Sequence, residues 1–172
     1  ELAFVVDASG SIDDDEFHLQ RQGYADALLN PKVLSAITSG FLGAIAVAYI
    51  EFSADGCTEL SVPWTRISDP ASARAFADQI LAKQPYSCSG GTAIGEGVAL
   101  AETTIDSNEF EGTRRVIDVS GDGPNTMGVP VEMVRDVAVA NRMTINGLVI
   151  ERPEMPDLDA YFRSSVTGGR RS

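Results

Sequence analysis

Short runs of uninterrupted apolar residues alternate along this chain with longer stretches whose apolar positions recur every three or four residues. Leu2 to Val6 is apolar throughout, which predicts a strand buried on both faces. A helix is expected from about Asp13 to Leu29. Phe17, Gln20, Tyr24 and Leu28 fall at helical spacing, and Asp13, Asp14, Asp15 and Glu16 crowd the first turn, where the helix dipole favours negative charge. Asn30-Pro31 ends it. A brief helical piece, Lys32 to Ile37, leads through Gly40 to a second strand, Ala44 to Phe52.

Ala54-Asp55-Gly56 signals a turn, and Thr58 to Trp64 alternates as a strand antiparallel to the second, with Pro63 suited to a sheet edge. A helix from Pro70 to Lys83 follows, capped by Ser68 or Asp69, with Ala73, Phe76, Ala77, Ile80 and Leu81 facing inward. The Ser-, Pro- and Gly-rich loop Gln84 to Gly91 precedes a small-sided helix, Ala93 to Ile105, which carries Gly95 and Gly97. Arg115 to Ser120 reads as a strand, Gly121 to Val129 as a glycine-broken loop, Val131 to Arg142 as a helix, Thr144 to Ile150 as a strand and Leu158 to Val166 as a terminal helix. The alternation predicts an α/β fold: a doubly wound, mostly parallel central sheet with one antiparallel edge strand and helices on both faces.

At 172 residues the chain is expected to form a single domain. It opens inside the first strand, which predicts a segment upstream, and no signal peptide is visible. A formal charge of −12 repels nucleic acid and anionic lipid over most of the surface. The basic residues are scattered, and only Arg114-Arg115 and Arg170-Arg171 are adjacent. No apolar run approaches the roughly 18 to 20 residues of a membrane span. Neither nucleic acid nor membrane insertion is therefore expected.

Candidate chemistry begins where the first strand hands over to a helix. Asp7-Ala8-Ser9-Gly10-Ser11 offers a carboxylate and two hydroxyls, hard oxygen donors suited to Mg²⁺ or Ca²⁺. In a doubly wound sheet, ligands bind at the carboxyl ends of strands where successive crossovers go to opposite faces. If the first strand is central and the Arg115 to Ser120 strand lies beside it, Asp7 and Asp122 face each other there. Ser89-Gly90-Gly91-Thr92 opens a helix and can reach the same spot.

The set Asp7-x-Ser9-x-Ser11, Gly91-Thr92 and Asp122-Gly123, in this order, resembles the metal-ion-dependent adhesion site (MIDAS) of von Willebrand factor type A domains, and the resemblance spans the whole chain. It implies a three-layer sandwich and a metal site with Gly10, Gly91 and Gly123 in its supporting loops. Ser9 and Ser11 would bind the ion directly, Thr92 directly or through water, and Asp7 and Asp122 mainly through water. It also implies an open position that takes an Asp or Glu carboxylate from a partner protein. Mg²⁺ is the expected cofactor, with Ca²⁺ or Mn²⁺ as alternatives. Where many relatives end the strand in Thr-Asp-Gly, this chain has Ser120-Gly121-Asp122-Gly123, so Gly121 removes a hydroxyl. The stretches Glu16 to Leu28, Arg115 to Asn125 and Thr144 to Ile150 are most similar to a bacterial branch of unassigned function.

Other readings of these residues fit less well. An EF-hand counted from Asp7 would have Ile12 where Gly is needed and His18 where Glu is needed. Gly90, Gly91, Gly95 and Gly97 lack dinucleotide-fingerprint spacing, and there is no Walker sequence. A serine hydrolase would need a nucleophile elbow and a histidine, and the sole histidine, His18, reads as a surface residue of the first helix. The expectation is a binding module, not an enzyme; the alternatives are a structural or assembly module whose metal only orders loops, or a metal-dependent hydrolase.

Glu51 and Asp118 interrupt apolar strands, where an unpaired charge is costly. They could form a polar network beneath the metal site, cap a sheet edge, or pair with an arginine such as Arg115. Cys57 and Cys88 lie on loops at the presumed metal end and lack zinc-site spacing. A disulfide is expected, suiting a periplasmic or extracellular setting in a bacterium; the alternative is two free thiols.

Overall fold

The computed structural model describes residues 1–83, 88 and 90–170. Among these, five strands form one sheet in the order β3-β2-β1-β4-β5. The strands are β1 (Leu2–Asp7), β2 (Ile45–Phe52), β3 (Thr58–Ile67), β4 (Val116–Gly121) and β5 (Thr144–Val149). The central strand β1 is parallel to both β2 and β4, β5 is parallel to β4, and β3 is the antiparallel edge. Ala3, Val5 and Val6 are fully buried, as an uninterrupted apolar run between two neighbours requires.

Pro63 is exposed on β3, inside an irregularity where Val47 pairs with Thr65 and Tyr49 with Val62. An edge strand tolerates its missing N–H there. The strand runs on to Ile67, beyond the expected Trp64, because past the irregularity Ile45 and Val47 still have partners in Ile67 and Thr65.

The helices are α1 (Asp14–Leu29), α2 (Pro31–Ser39), α3 (Pro70–Ala82), α4 (Ile94–Ser107), α5 (Val131–Ala140) and the short α6 (Leu158–Tyr161), which continues as a π-helical turn, Phe162–Val166. One apolar core packs Phe4, Val6, Tyr49 and Val62 of the sheet against Leu28, Ile37, Phe76 and Ile80 from α1 to α3. The other packs Val5, Ile50, Phe52, Ile117 and Val119 against Val98, Ala101, Ala138 and Phe162. The predicted three layers are thus present, with helices on both faces. No helix among the described residues is long and apolar enough to cross a membrane.

Caps follow the local chemistry. Asp13 accepts from the Glu16 N–H at 2.8 Å while Glu16 reaches back to the Asp13 N–H, and Asp69 with Ser72 does the same for α3. The inward face of α1 differs from expectation: Phe17, Arg21, Ala25 and Leu28 are buried, while Gln20 and Tyr24 are half-buried. Periodicity cannot anticipate a buried arginine, which is tolerable here because β2 supplies the opposite charge. Leu81 is 41% exposed rather than inward. Helix α5 stops at Ala140, two residues early, because Arg142 takes a left-handed φ of 64° and the Met143 N–H closes onto the Ala138 carbonyl at 2.9 Å. Residues 84–87 and 89 of the expected loop lie outside the described residues.

Candidate metal centre

Strand order puts the topological switch between β1 and β4, since the chain leaves β1 for β2 on one side and later enters β4 on the other. The carboxyl ends of those strands carry Asp7 and the Gly121-Asp122 step. Asp7 is fully buried, and its Oδ1 accepts the Ser9 N–H at 2.8 Å, folding the loop back on the strand end. Ser9 Oγ lies 3.0 Å from Ser11 Oγ, and Ser11 Oγ donates to Asp122 Oδ1 at 2.8 Å. Thr92 is buried on the third loop, and a Cβ at Gly123 would stand 3.7 Å from its hydroxyl. Asp7, Ser9, Ser11, Thr92 and Asp122 are therefore brought to one end of the sheet from three loops.

The glycines fit by close approach. At Gly91 a Cβ would meet Met127 Cε at 2.5 Å and Thr126 Oγ1 at 2.8 Å. At Gly121 it would stand 3.0 Å from Asp7 Oδ2, so the departure from the common motif makes room for the buried carboxylate. The Gly10 N–H donates to the Gly90 carbonyl at 3.2 Å, joining the first loop to the third.

Two buried oxygens, Asp7 Oδ2 and Asp122 Oδ2, have no hydrogen-bond donor among the described residues. Burial pushes the Asp7 carboxyl up to about 6 against the bonds from Ser9, and the Asp122 charge adds to the rise. Both oxygens belong to carboxylates beside hydroxyl oxygens, a donor set that fits a hard divalent cation. Among the described residues no three His, Cys, Asp or Glu side chains converge, so a Cys/His-rich site of the zinc type is not built here.

Several residues that hold this arrangement were missed by pattern reading. Gln20 donates to the Asp7 carbonyl and accepts from Ser120 Oγ, both at 3.3 Å, bridging the ends of β1 and β4. Asn125 Oδ1 accepts the Gly95 N–H at 2.9 Å and so caps α4, whose own N-terminal residue offers no side-chain cap. Its Nδ2 donates to the Met127 and Val129 carbonyls, and its N–H donates to the Tyr161 hydroxyl. Thr126 Oγ1 accepts the Thr92 N–H at 2.9 Å. Arg152, just beyond β5, places Nη1 3.2 Å from Asp122 Oδ2, an ion pair without hydrogen-bond alignment, and Nη2 donates to the Ser11 carbonyl at 2.8 Å. A basic residue next to a strand's carboxyl end in a chain this acidic was the available signal.

Cys57 and Cys88 form a disulfide with Cα atoms 6.0 Å apart. It joins the β2-β3 hairpin to the segment before Thr92. Ser53 adds to the joint, its hydroxyl donating to the Cys88 carbonyl and its carbonyl accepting the Ala93 N–H at 2.8 Å.

Among the described residues Glu51 and Asp118 have different hydrogen-bond partners, and Arg115 forms its ion pairs elsewhere. Glu51 Oε1 accepts from Arg21 Nε at 3.1 Å and Nη2 at 2.6 Å, its Oε2 accepts from Ser61 Oγ at 2.8 Å, and Arg21 also donates to the Lys83 carbonyl. Asp118 accepts from Asn146 Nδ2 at 2.6 Å, and burial pushes its carboxyl up. Arg115 instead meets Asp106 at 2.9 Å and Glu1 at 3.9 Å. His18 is exposed on α1.

Solved structures with the same fold share little sequence with this chain. Proximal thread matrix protein 1 from the mussel byssus, in a form with a zinc-occupied MIDAS motif, is 16% identical with a TM-score of 0.70, over 88% of this chain and 38% of that one. BatB from Bacteroides thetaiotaomicron is 23% identical with a TM-score of 0.62, over 89% of this chain and 67% of that one. A von Willebrand factor type A structure from Catenulispora acidiphila is 15% identical with a TM-score of 0.59, over 95% of this chain and 41% of that one. The chain thus spans well under half of the mussel and Catenulispora proteins. No curated protein matches the sequence. The family described as protein of unknown function (DUF1194) matches residues 1–172, and the chain, with its von Willebrand factor type A fold, belongs to that family.

Proposed function

We propose that this chain is a binding module that captures an acidic residue of a partner protein through a divalent cation at the carboxyl ends of β1 and β4. The observation that carries the reading is Asp7 Oδ2: a fully buried carboxylate oxygen without a hydrogen-bond partner among the described residues, in a cluster with the Ser9 and Ser11 hydroxyls and a second carboxylate, Asp122. Burying a carboxylate oxygen without a donor is unfavourable, and a nearby cation reduces the penalty. Ser9 and Ser11 would hold it directly, Thr92 directly or through water, and Asp7 and Asp122 mainly through water.

Hydroxyl donors carry little charge, so a cation held this way keeps its affinity for an outside carboxylate. Mg²⁺ suits so few charged donors best, and Ca²⁺ or Mn²⁺ fit the same oxygens. The zinc in the mussel protein's MIDAS motif supports a divalent ion at this position of the fold. The reading favours binding over catalysis, and the one histidine stands exposed on α1. The Cys57–Cys88 disulfide supports a periplasmic or extracellular setting.

Calorimetric titration with Mg²⁺ tests the reading. Wild type binds about one ion, and Ser9→Ala with Ser11→Ala loses most of the affinity; no binding by wild type, or unchanged binding by the double variant, overturns it. Chelation should abolish capture of an immobilised Asp-containing peptide. If chelation lowers only the melting temperature and leaves capture intact, the metal orders loops instead.

A further inference from the structure

We propose that Arg152 is a specificity-determining residue of this centre: its guanidinium makes the loaded centre demand an anion, so that cation and carboxylate bind cooperatively. The inference rests on the binding role proposed above and names how the site is regulated. Asp122 is shared between two neighbours. Its Oδ1 takes the Ser11 hydroxyl at 2.8 Å on one side, and Arg152 Nη1 stands 3.2 Å from its Oδ2 on the other. Arg152 Nη2 donates to the Ser11 carbonyl at 2.8 Å, so the guanidinium spans two of the three loops of the centre. Its side chain is 29% exposed while that of Asp122 is 1% exposed, which puts the arginine at the rim and the carboxylate beneath it.

Charge decides the consequence. The carboxylates of Asp7 and Asp122 balance a divalent cation by themselves. With Arg152 added, the loaded centre keeps one uncompensated positive charge in a partly dehydrated place, where charges interact more strongly than in water. Two effects follow from the same charge. The cation alone binds more weakly, because the guanidinium repels it and already neutralises Asp122. A carboxylate arriving from outside meets both the cation and the guanidinium, which can take its second oxygen as a charge-assisted acceptor. By linkage, whatever the carboxylate gains from the cation, the cation gains from the carboxylate.

The test is Mg²⁺ calorimetry on wild type, Arg152→Gln and Arg152→Lys, with sodium acetate or sodium chloride at equal ionic strength. In chloride, Arg152→Gln should bind Mg²⁺ roughly tenfold more tightly than wild type. Acetate should tighten Mg²⁺ binding about fivefold in wild type and clearly less in Arg152→Gln, where the cation alone draws the carboxylate. Arg152→Lys, which keeps the charge and loses the fork, should follow wild type. Mg²⁺ affinity in Arg152→Gln equal to or below wild type overturns the inference while leaving the binding role intact. So does Arg152→Lys behaving as Arg152→Gln, since the contact would then be a mere tether of the Ser11 loop. If wild type binds no Mg²⁺, the binding role itself falls and this inference with it. Melting temperatures in chelator confirm that all three proteins are folded.

Discussion

Asp118 sits half-buried on β4 with Asn146 donating to it at 2.6 Å, and burial holds its carboxyl above the ordinary value of 3.8. The native state therefore keeps its proton more tightly than the unfolded chain does. The stabilisation that this gives is fully present below pH 3.8 and is lost as pH rises through the raised native value. Asp118→Asn, which keeps an oxygen for Asn146, should be more stable than wild type at neutral pH, and the gap should close as the pH falls. Urea melts at several pH values check this; a constant gap would show that the charge is not the cause. Glu51 differs in kind, because Arg21 and Ser61 satisfy both its oxygens. Removing one partner of a buried pair strands the other, so Arg21→Leu should cost about 3 to 5 kcal/mol in chemical denaturation.

At the scale of elements, the segment before Thr92 depends on the Cys57–Cys88 crosslink. The bond closes a loop with a sequence separation of 31 residues. On chain entropy alone, Cys57→Ser with Cys88→Ser should cost roughly 4 kcal/mol. The same variant should bind Mg²⁺ more weakly, because Thr92 loses a brace, whereas a crosslink that merely stabilises would leave affinity unchanged. Helix α4 lies against the sheet only because it is small-sided: a Cβ at Gly97 would stand 2.6 Å from Val5 Cγ1 and 3.0 Å from Phe52 Cδ1. Gly97→Ala should destabilise by about 1 to 3 kcal/mol in spite of the better helix propensity of alanine.

Across the whole molecule, a formal charge of −12 makes the long-range field around the protein net negative. That field draws in a dication and resists an acidic partner, so the local positive charge of a loaded centre has to overcome it. Mg²⁺ affinity should weaken as salt is raised from about 20 to about 200 mM, since the screening length shortens to below 10 Å. Titration at the two ionic strengths measures it, and equal affinities would limit the electrostatics to the nearest groups. The fold that carries this charge is a sheet with separate cores on its two faces, and both cores meet at β1.

The sequence by itself determined the alternation of strands and helices, the burial of β1, the antiparallel β3 with Pro63 at its edge, and the motif residues at strand ends. Each of these depends on periodicity, a cap or a turn, which are properties of neighbours along the chain. What only tertiary structure decided depends on residues far apart in sequence. Arg21 is buried because Glu51, 30 positions away, receives its charge. Asn125 caps a helix that begins before it in the chain, and Gln20 ties Asp7 to Ser120. Arg152, 141 residues from Ser11, stands over Asp122 because β5 ends beside β4 at the same edge of the crevice. Local pattern carries no information about such partners, since the energy of a buried charge depends on what the fold sets against it.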